Sequence, residues 1–391
     1  MNTEKVKKHV KEGERMEYKI VGDSHGPFMA GLIEGIPAGL TIDKEAIDAD
    51  LRRRQKGYGR GERMHIESDE VNIVSGVWNG ITTGAPLVLM IGNKAANPID
   101  VKKERTVPRP GHGDYSAWTK YGLTDLNAYT ERNSARWTTA LAALGSVAKQ
   151  FLTTFDVRVV GFVASIGKVR ADDALFDELQ KDFDAYIEKR NNSPVACPFE
   201  DISEDMIQEI ENLAFKEATT LGGSTKTFAT GVKPGLGSYS NVFNKVDSKI
   251  GRYFMSIPSV KGVHIGHEDV SCTGFEFQDP FTYENGRIKR TKNFAGGIEA
   301  GITNGENIVV TTYFKPISTL ANPLNSIDLE TKERCKAPYI RSDSVIVPAA
   351  TVLTESVLAM ILMEEIVDGF GNDNIELIRQ RYFEKYSQMD L

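Results

Sequence analysis

Apolar side chains recur every three or four positions over residues 135–152, where Ala140, Leu141, Leu144, Val147, Ala148 and Phe151 fall on one helical face. Asn133 or Ser134 stands where such a helix is capped, because a short polar side chain accepts from the first unpaired backbone N–H groups. Further helices follow the same logic. One starts after Asp43 and turns Ala46, Ile47 and Leu51 inward; another spans 204–218 behind Ser203. An apolar helix covers 352–367 and a polar one covers 373–387. Alternation or short apolar runs mark strands at 18–21, 71–78, 86–92, 157–165, 225–232 and 307–314, with a turn-rich stretch at 79–84. The pattern predicts mixed α and β structure in one intimately packed unit over 16–391. No short repeat and no Pro/Ser-rich linker divides it. The charged residues 170–203 are the one place for a loosely attached subregion, and residues 1–15 read as a mobile arm or frayed helix.

Composition narrows the class. At 391 residues, with 40% hydrophobic and 26% charged side chains, the chain resembles an ordinary soluble enzyme. No apolar run approaches the ~20 residues that span a bilayer, and the first fifteen residues lack the apolar stretch of a secretory signal. Cys197, Cys272 and Cys335 are far apart and follow no metal-ligand spacing, which fits reduced thiols in the cytoplasm and no bound metal. A net charge of -7 argues against nucleic acid as the main partner, and with no spanning run no membrane partner is expected.

One stretch opposes that acidic balance. Residues 52–63 hold six cations and a single Glu, a local charge of +5 over twelve residues. Such side chains repel one another unless something anionic sits among them. Interleaved glycines at 57, 59 and 61 let several guanidinium forks converge on a phosphate or carboxylate; the plain alternative is a solvated helix end and a polar loop. Two histidines lie in glycine-rich settings: His25 in Gly22-Asp23-Ser24-His25-Gly26, and His112 in Arg109-Pro110-Gly111-His112-Gly113-Asp114. Ser24 or Asp23 is placed to fix the tautomer of His25. Arg109 and Asp114 pull on the His112 proton in opposite directions. A lone histidine after a strand is more often structural, so the pairing says more than either alone. Residues 131–136, Glu-Arg-Asn-Ser-Ala-Arg, place arginines at a helix start, either as an anion seat or as an ordinary cap.

Taken in order, these pieces resemble the chorismate synthase family. The resemblance runs through GDSHG, Ile33 to Gly39, DLRRRQ with GYGRG, RPGH, R-x-SAR, the glycine-rich 295–305, Lys315 to Thr319, and Arg341-Ser342-Asp343, from about residue 18 to 370. It implies an α+β fold, a β-α-β sandwich, assembled as a homotetramer. It also implies a carbon–oxygen lyase acting on a phosphorylated small molecule at the last step of the shikimate route to aromatic amino acids. There 5-enolpyruvylshikimate 3-phosphate gives chorismate by anti-1,4-elimination of phosphate, with reduced FMN and an external flavin reductant linked to NADP. By the same resemblance His25, His112 and Asp343 are catalytic, and Arg54, Arg60, Arg63 and Arg136 bind substrate. Arg132, Asn133, Ser134, Pro258, Ser259, Ala300, Lys315, Pro316, Ile317, Ser318, Thr319 and Arg341 contact the flavin. The chain departs from the family at Asn133 for Ser, Trp137 for Glu, Pro258-Ser259 for Asn-Ala, Ala300 for Gly and Ser344 for Pro; Pro258 brings neither an N–H nor an amide side chain. Two other readings compete: an RNA-binding protein, since Arg/Gly/Tyr segments bind RNA, and a relative that binds ligands without turning over.

Overall fold

The computed structural model describes residues 16–60, 69–94, 103–284, 287–340 and 342–388. The predicted arm at 1–15, together with Arg63 and Arg341, lies outside the described residues. Two antiparallel sheets enclose a helical layer. The smaller sheet runs in the order Glu17–Gly22, Phe28–Glu34, Leu87–Gly92, Val71–Ser75. The larger runs Val260–Ile265, Ile308–Phe314, Gly223–Thr230, Arg158–Ile166, Val169–Arg170. Between them lie helices Lys44–Gln55, Thr138–Thr153 and Val347–Phe370. This is the expected β-α-β sandwich.

Periodicity explains where each element sits. Strand Leu87–Gly92 turns Leu87, Leu89 and Ile91 to the helical layer, all fully buried, while Val88 and Met90 face outward. Strand Arg158–Ile166 is buried along nearly its whole length because both of its faces are covered. Helix Val347–Phe370 is largely apolar and buried on every side along most of its length, as a helix wrapped by two sheets must be. It begins five residues before the sequence pattern suggests, since Pro348 is tolerated in a first turn whose N–H groups lack helical partners. Gly145 lets this helix and Thr138–Thr153 touch: a Cβ there would lie 2.1 Å from that of Ser356.

Two further boundaries differ from the expectation. The helix assigned to 204–218 starts at Glu200, and Ser203 is no cap. Its hydroxyl is buried against that of Ser193 at 2.8 Å, a pairing between segments that no local pattern reveals. The helix foreseen from 135 is a short 3-10 turn, Ala135–Trp137, followed by the α-helix proper. Asp43 caps Lys44–Gln55 as expected, accepting from Glu45 N at 2.9 Å and Ala46 N at 3.4 Å. Residues 170–203 contribute helices Asp173–Leu179 and Phe183–Asn192. These pack Phe176, Leu179 and Phe183 onto Phe162 and Phe228 on the outer face of the larger sheet.

Candidate active site

Three groups of predicted residues meet on the six-residue segment 131–136, where helix Asn127–Asn133 gives way to the 3-10 turn. Its first residue holds His25. The buried Glu131 carboxylate accepts from the His25 backbone N–H at 2.8 Å and contacts ring Nδ1 at 2.9 Å; its carbonyl accepts from Ser24 Oγ at 2.8 Å and Ser24 N at 3.2 Å. A carboxylate only accepts, so Nδ1 carries the hydrogen in that contact. The tautomer of His25 is therefore set by Glu131, across the fold, and not by Ser24 or Asp23. Ser24 instead donates its hydroxyl to the backbone of residue 131. Arg132 clasps the first strand through the carbonyls of Gly22 at 3.0 Å and Ile20 at 3.4 Å.

The other end of the segment joins the arginines. Arg54, buried, donates Nε to Thr138 Oγ1 at 2.9 Å and Nη2 to the Ala135 carbonyl at 3.2 Å. Ser134 Oγ accepts from Arg136 N at 3.4 Å. Arg136 pairs with the buried carboxylate of Asp69 at 2.8 Å, and that carboxylate lies 3.6 Å from Arg54. Arg60 pairs with Asp343 at 2.8 Å. Gly59 carries this loop past Val345 with φ +86, and a Cβ there would lie 3.1 Å from that side chain. Burial first, then the like charges of Arg60 and Arg136, pull the Arg54 pKa down to about 9, against the opposing pull of Asp69 and Asp343. Burial likewise lowers that of Arg60, although Asp343 resists. Arg54 Nη1 and Arg60 Nε have no hydrogen-bond partner among the described residues. Buried donors left in this state are what an anionic ligand satisfies.

Asn133, midway along the segment, lies against Gly113 and so touches the His112 loop. His112 Nδ1 meets Asp114 Oδ1 at 2.8 Å, a second imidazole held by a buried carboxylate. Arg109 Nη2 is 3.1 Å from both ring nitrogens, which puts it over the ring face and along neither lone pair. Burial alone would raise the Asp114 pKa. Hydrogen bonds from His112 and Arg109, and the charge on Arg109, outweigh it and hold the carboxyl well below the usual range. Lys315 Nζ donates to the Gly111 carbonyl, and Ser318 faces the same glycine. Lys315 N also donates to the Ser259 carbonyl at 2.9 Å, so Pro258 and Ser259 adjoin this stretch. Thr220 Oγ1 donates to the Ile317 carbonyl at 2.7 Å; Pro316 is exposed and Thr319 is buried. Leu221 N donates to Ser344 O at 3.0 Å, and Ser344 N to Gly59 O at 2.9 Å, which returns the chain of contacts to the arginine loop.

A cleft of about 1070 Å³ opens beside His112, lined also by Arg109, Tyr115, Ser326, Arg334 and Lys336. His25, Arg54, Arg136 and Asp343 do not line it. Ala300 is the one described candidate set apart. It sits in the turn of a hairpin packed on Lys245, beyond the start of strand Ile308–Phe314, whereas Lys315 follows the end of that strand. The strand that intervenes in the chain is itself about 20 Å long. Sequence reasoning gave no role to Asp69 or Glu131. Asp69 is one of three acids in four residues, and nothing in that run singles it out.

A helical layer between two antiparallel sheets, with guanidinium forks and carboxylate-held imidazoles at one edge, defines an α+β sandwich enzyme. A family model described as chorismate synthase matches residues 16–367. A chorismate synthase from Thermotoga sp. (strain RQ2) is 50% identical over 369 residues, covering 94% of this chain and 95% of the relative. One from Geobacillus thermodenitrificans (strain NG80-2) is 43% identical, covering 93% and 97%. A solved structure titled as a crystal structure of chorismate synthase superposes with a TM-score of 0.77 at 32% identity, over 95% of this chain and 97% of the other. The chain belongs to the chorismate synthase family and is a lyase.

Proposed function

We propose that the chain converts 5-enolpyruvylshikimate 3-phosphate to chorismate by anti-1,4-elimination of phosphate, using reduced FMN delivered by an external flavin reductant. The observation that carries this reading is that Arg54 and Arg136, with Arg60 near enough to lower the Arg54 pKa, gather at one end of a segment whose other contacts are His25 and the His112 loop. A substrate with one phosphate and two carboxylates matches several buried forks with unsatisfied donors. His112 serves at the departing phosphate, where an imidazolium neutralises the leaving group, and Asp114 orients the ring. His25 presents Nε2 for proton exchange on the ligand side. Asp343, paired with Arg60, is the carboxylate placed to relay the hydrogen removed from C6.

The residues present fit the cofactor. Lys315 and Ser318 offer an ammonium and a hydroxyl next to the His112 loop, and Thr319 follows in the same stretch, a donor set suited to a flavin phosphate. Pro258 cannot donate there, so Ser259 and the 315–319 stretch hold that side. Bound and reduced, FMN supplies the electron density that helps expel phosphate. The protein orients the substrate, excludes water and handles protons. The enzyme works as a homotetramer in the cytoplasm, where its free cysteines stay reduced.

An anaerobic assay with dithionite-reduced FMN tests the reading: phosphate and chorismate should appear in equal amounts, and substrate that binds without releasing phosphate contradicts it. His112→Ala should retain ligand binding and lose about 10²–10⁴-fold in turnover. Near-normal turnover would remove His112 from the mechanism.

A further inference from the structure

The geometry points to Glu131 as the positioning residue that fixes the proton of His25 on Nδ1 and leaves Nε2 as its working nitrogen, an inference that rests on the catalytic place given to His25 above. The two carboxylate oxygens have separate duties. One accepts from the backbone N–H of His25 at 2.8 Å, and the other meets ring Nδ1 at 2.9 Å. Residue 131 also takes both hydrogens of Ser24, backbone and hydroxyl, on its carbonyl. Four contacts thus lock the Ser24-His25 pair to the end of helix Asn127–Asn133, more than 100 residues away in sequence. Asn93 braces the same turn from the neighbouring strand by donating to the carbonyls of Ser24 and Gly26. Only the ring's rotation and tautomer remain to be chosen, and the second carboxylate oxygen decides both.

The backbone N–H of His25 is an obligate donor, and this makes the assignment testable by an isosteric change. In Glu131→Gln the amide has one oxygen to offer. That oxygen goes to the backbone N–H, which turns the NH2 group toward Nδ1. Nδ1 must then accept, and the ring hydrogen moves to Nε2. The variant keeps shape and burial but inverts the tautomer, the same physical error that replacing the aspartate of a serine-protease triad by asparagine produces.

The experiment is 15N–1H correlation of histidine-labelled enzyme at a pH where the ring is neutral, with the His25 signal assigned by its loss in His25→Gln, alongside steady-state kinetics. Wild-type enzyme should show Nδ1–H at His25 and Glu131→Gln should show Nε2–H. In Glu131→Gln kcat should fall about 10²–10⁴-fold with KM for the phosphorylated substrate within about twofold, since the arginines are untouched. Placed in a His25→Ala background, Glu131→Gln should cost almost nothing further, because its effect passes through the ring. Nε2–H in the wild type, an unchanged tautomer in the variant, or full additivity with His25→Ala overturns the inference. If the wild type makes no chorismate, the proposed function fails instead, and the tautomer measurement still judges the role of Glu131.

Discussion

Arg54 holds a positive charge where burial and two like charges oppose it, and that opposition has a measurable consequence. A polyanionic ligand favours the charged guanidinium. Because the free-enzyme pKa is pulled down to about 9, binding at or above that pH must draw a proton from solvent. The contribution of Arg54 to substrate affinity should therefore be constant near neutrality and fall as pH rises through about 9, by at most tenfold per unit. Calorimetry in two buffers of different ionisation enthalpy should record net proton uptake around pH 9. A pH-independent affinity up to 10.5 would place Arg54 outside the ligand's reach. The sign for stability follows from the same depression: the unfolded chain binds this proton more readily, so the site opposes folding at neutral pH and the opposition fades as pH rises.

At the scale of elements, one buried carboxylate ties the arginine helix to the core. Glu355, in the middle of the long helix, takes both forks of Arg53 at 2.8 Å, Arg190 at 2.9 Å, Lys149 at 3.1 Å and Gly161 N at 2.9 Å. Burial works against its charge, but Arg53, Lys149 and Arg190 hold its pKa well below the usual range. Glu355→Leu strands those cations in the interior. It should cost about 3–5 kcal/mol in urea unfolding, and a loss under about 1 kcal/mol would show the network to be dispensable. Arg53 precedes Arg54, so the same contact anchors the helical turn from which the site arginine projects. The helices of the central layer were legible in the sequence because a core helix must repeat its apolar residues at its own period. What escaped were contacts across the fold: Ser203 with Ser193, Glu131 with His25, Asp69 between two arginines. Local pattern records which face is buried but not which distant carboxylate meets a given cation, and the resemblance supplied candidate ligand contacts without their neighbours.

For the whole molecule, the outer face of the four-stranded sheet carries Val21, Leu32, Val88 and Met90 on adjoining strands, an apolar surface that the described residues leave at least partly exposed. If the proposed tetramer uses it, light scattering should give the mass of four chains, and Met90→Lys should shift that mass downward while leaving far-UV circular dichroism intact. A monomer at micromolar concentration would contradict the assembly. Residues 131–136 have a different kind of consequence, because so much is hung on so short a piece of backbone. Each added residue advances a helix by about 100°. After a single insertion there the backbone could not keep Glu131 on one imidazole, Asn133 on the other loop and Arg136 on Asp69 at once. The length of this stretch is thus constrained together with its side chains: a substitution such as Glu131→Gln disturbs one contact, whereas inserting a single codon should abolish turnover by disturbing several at once.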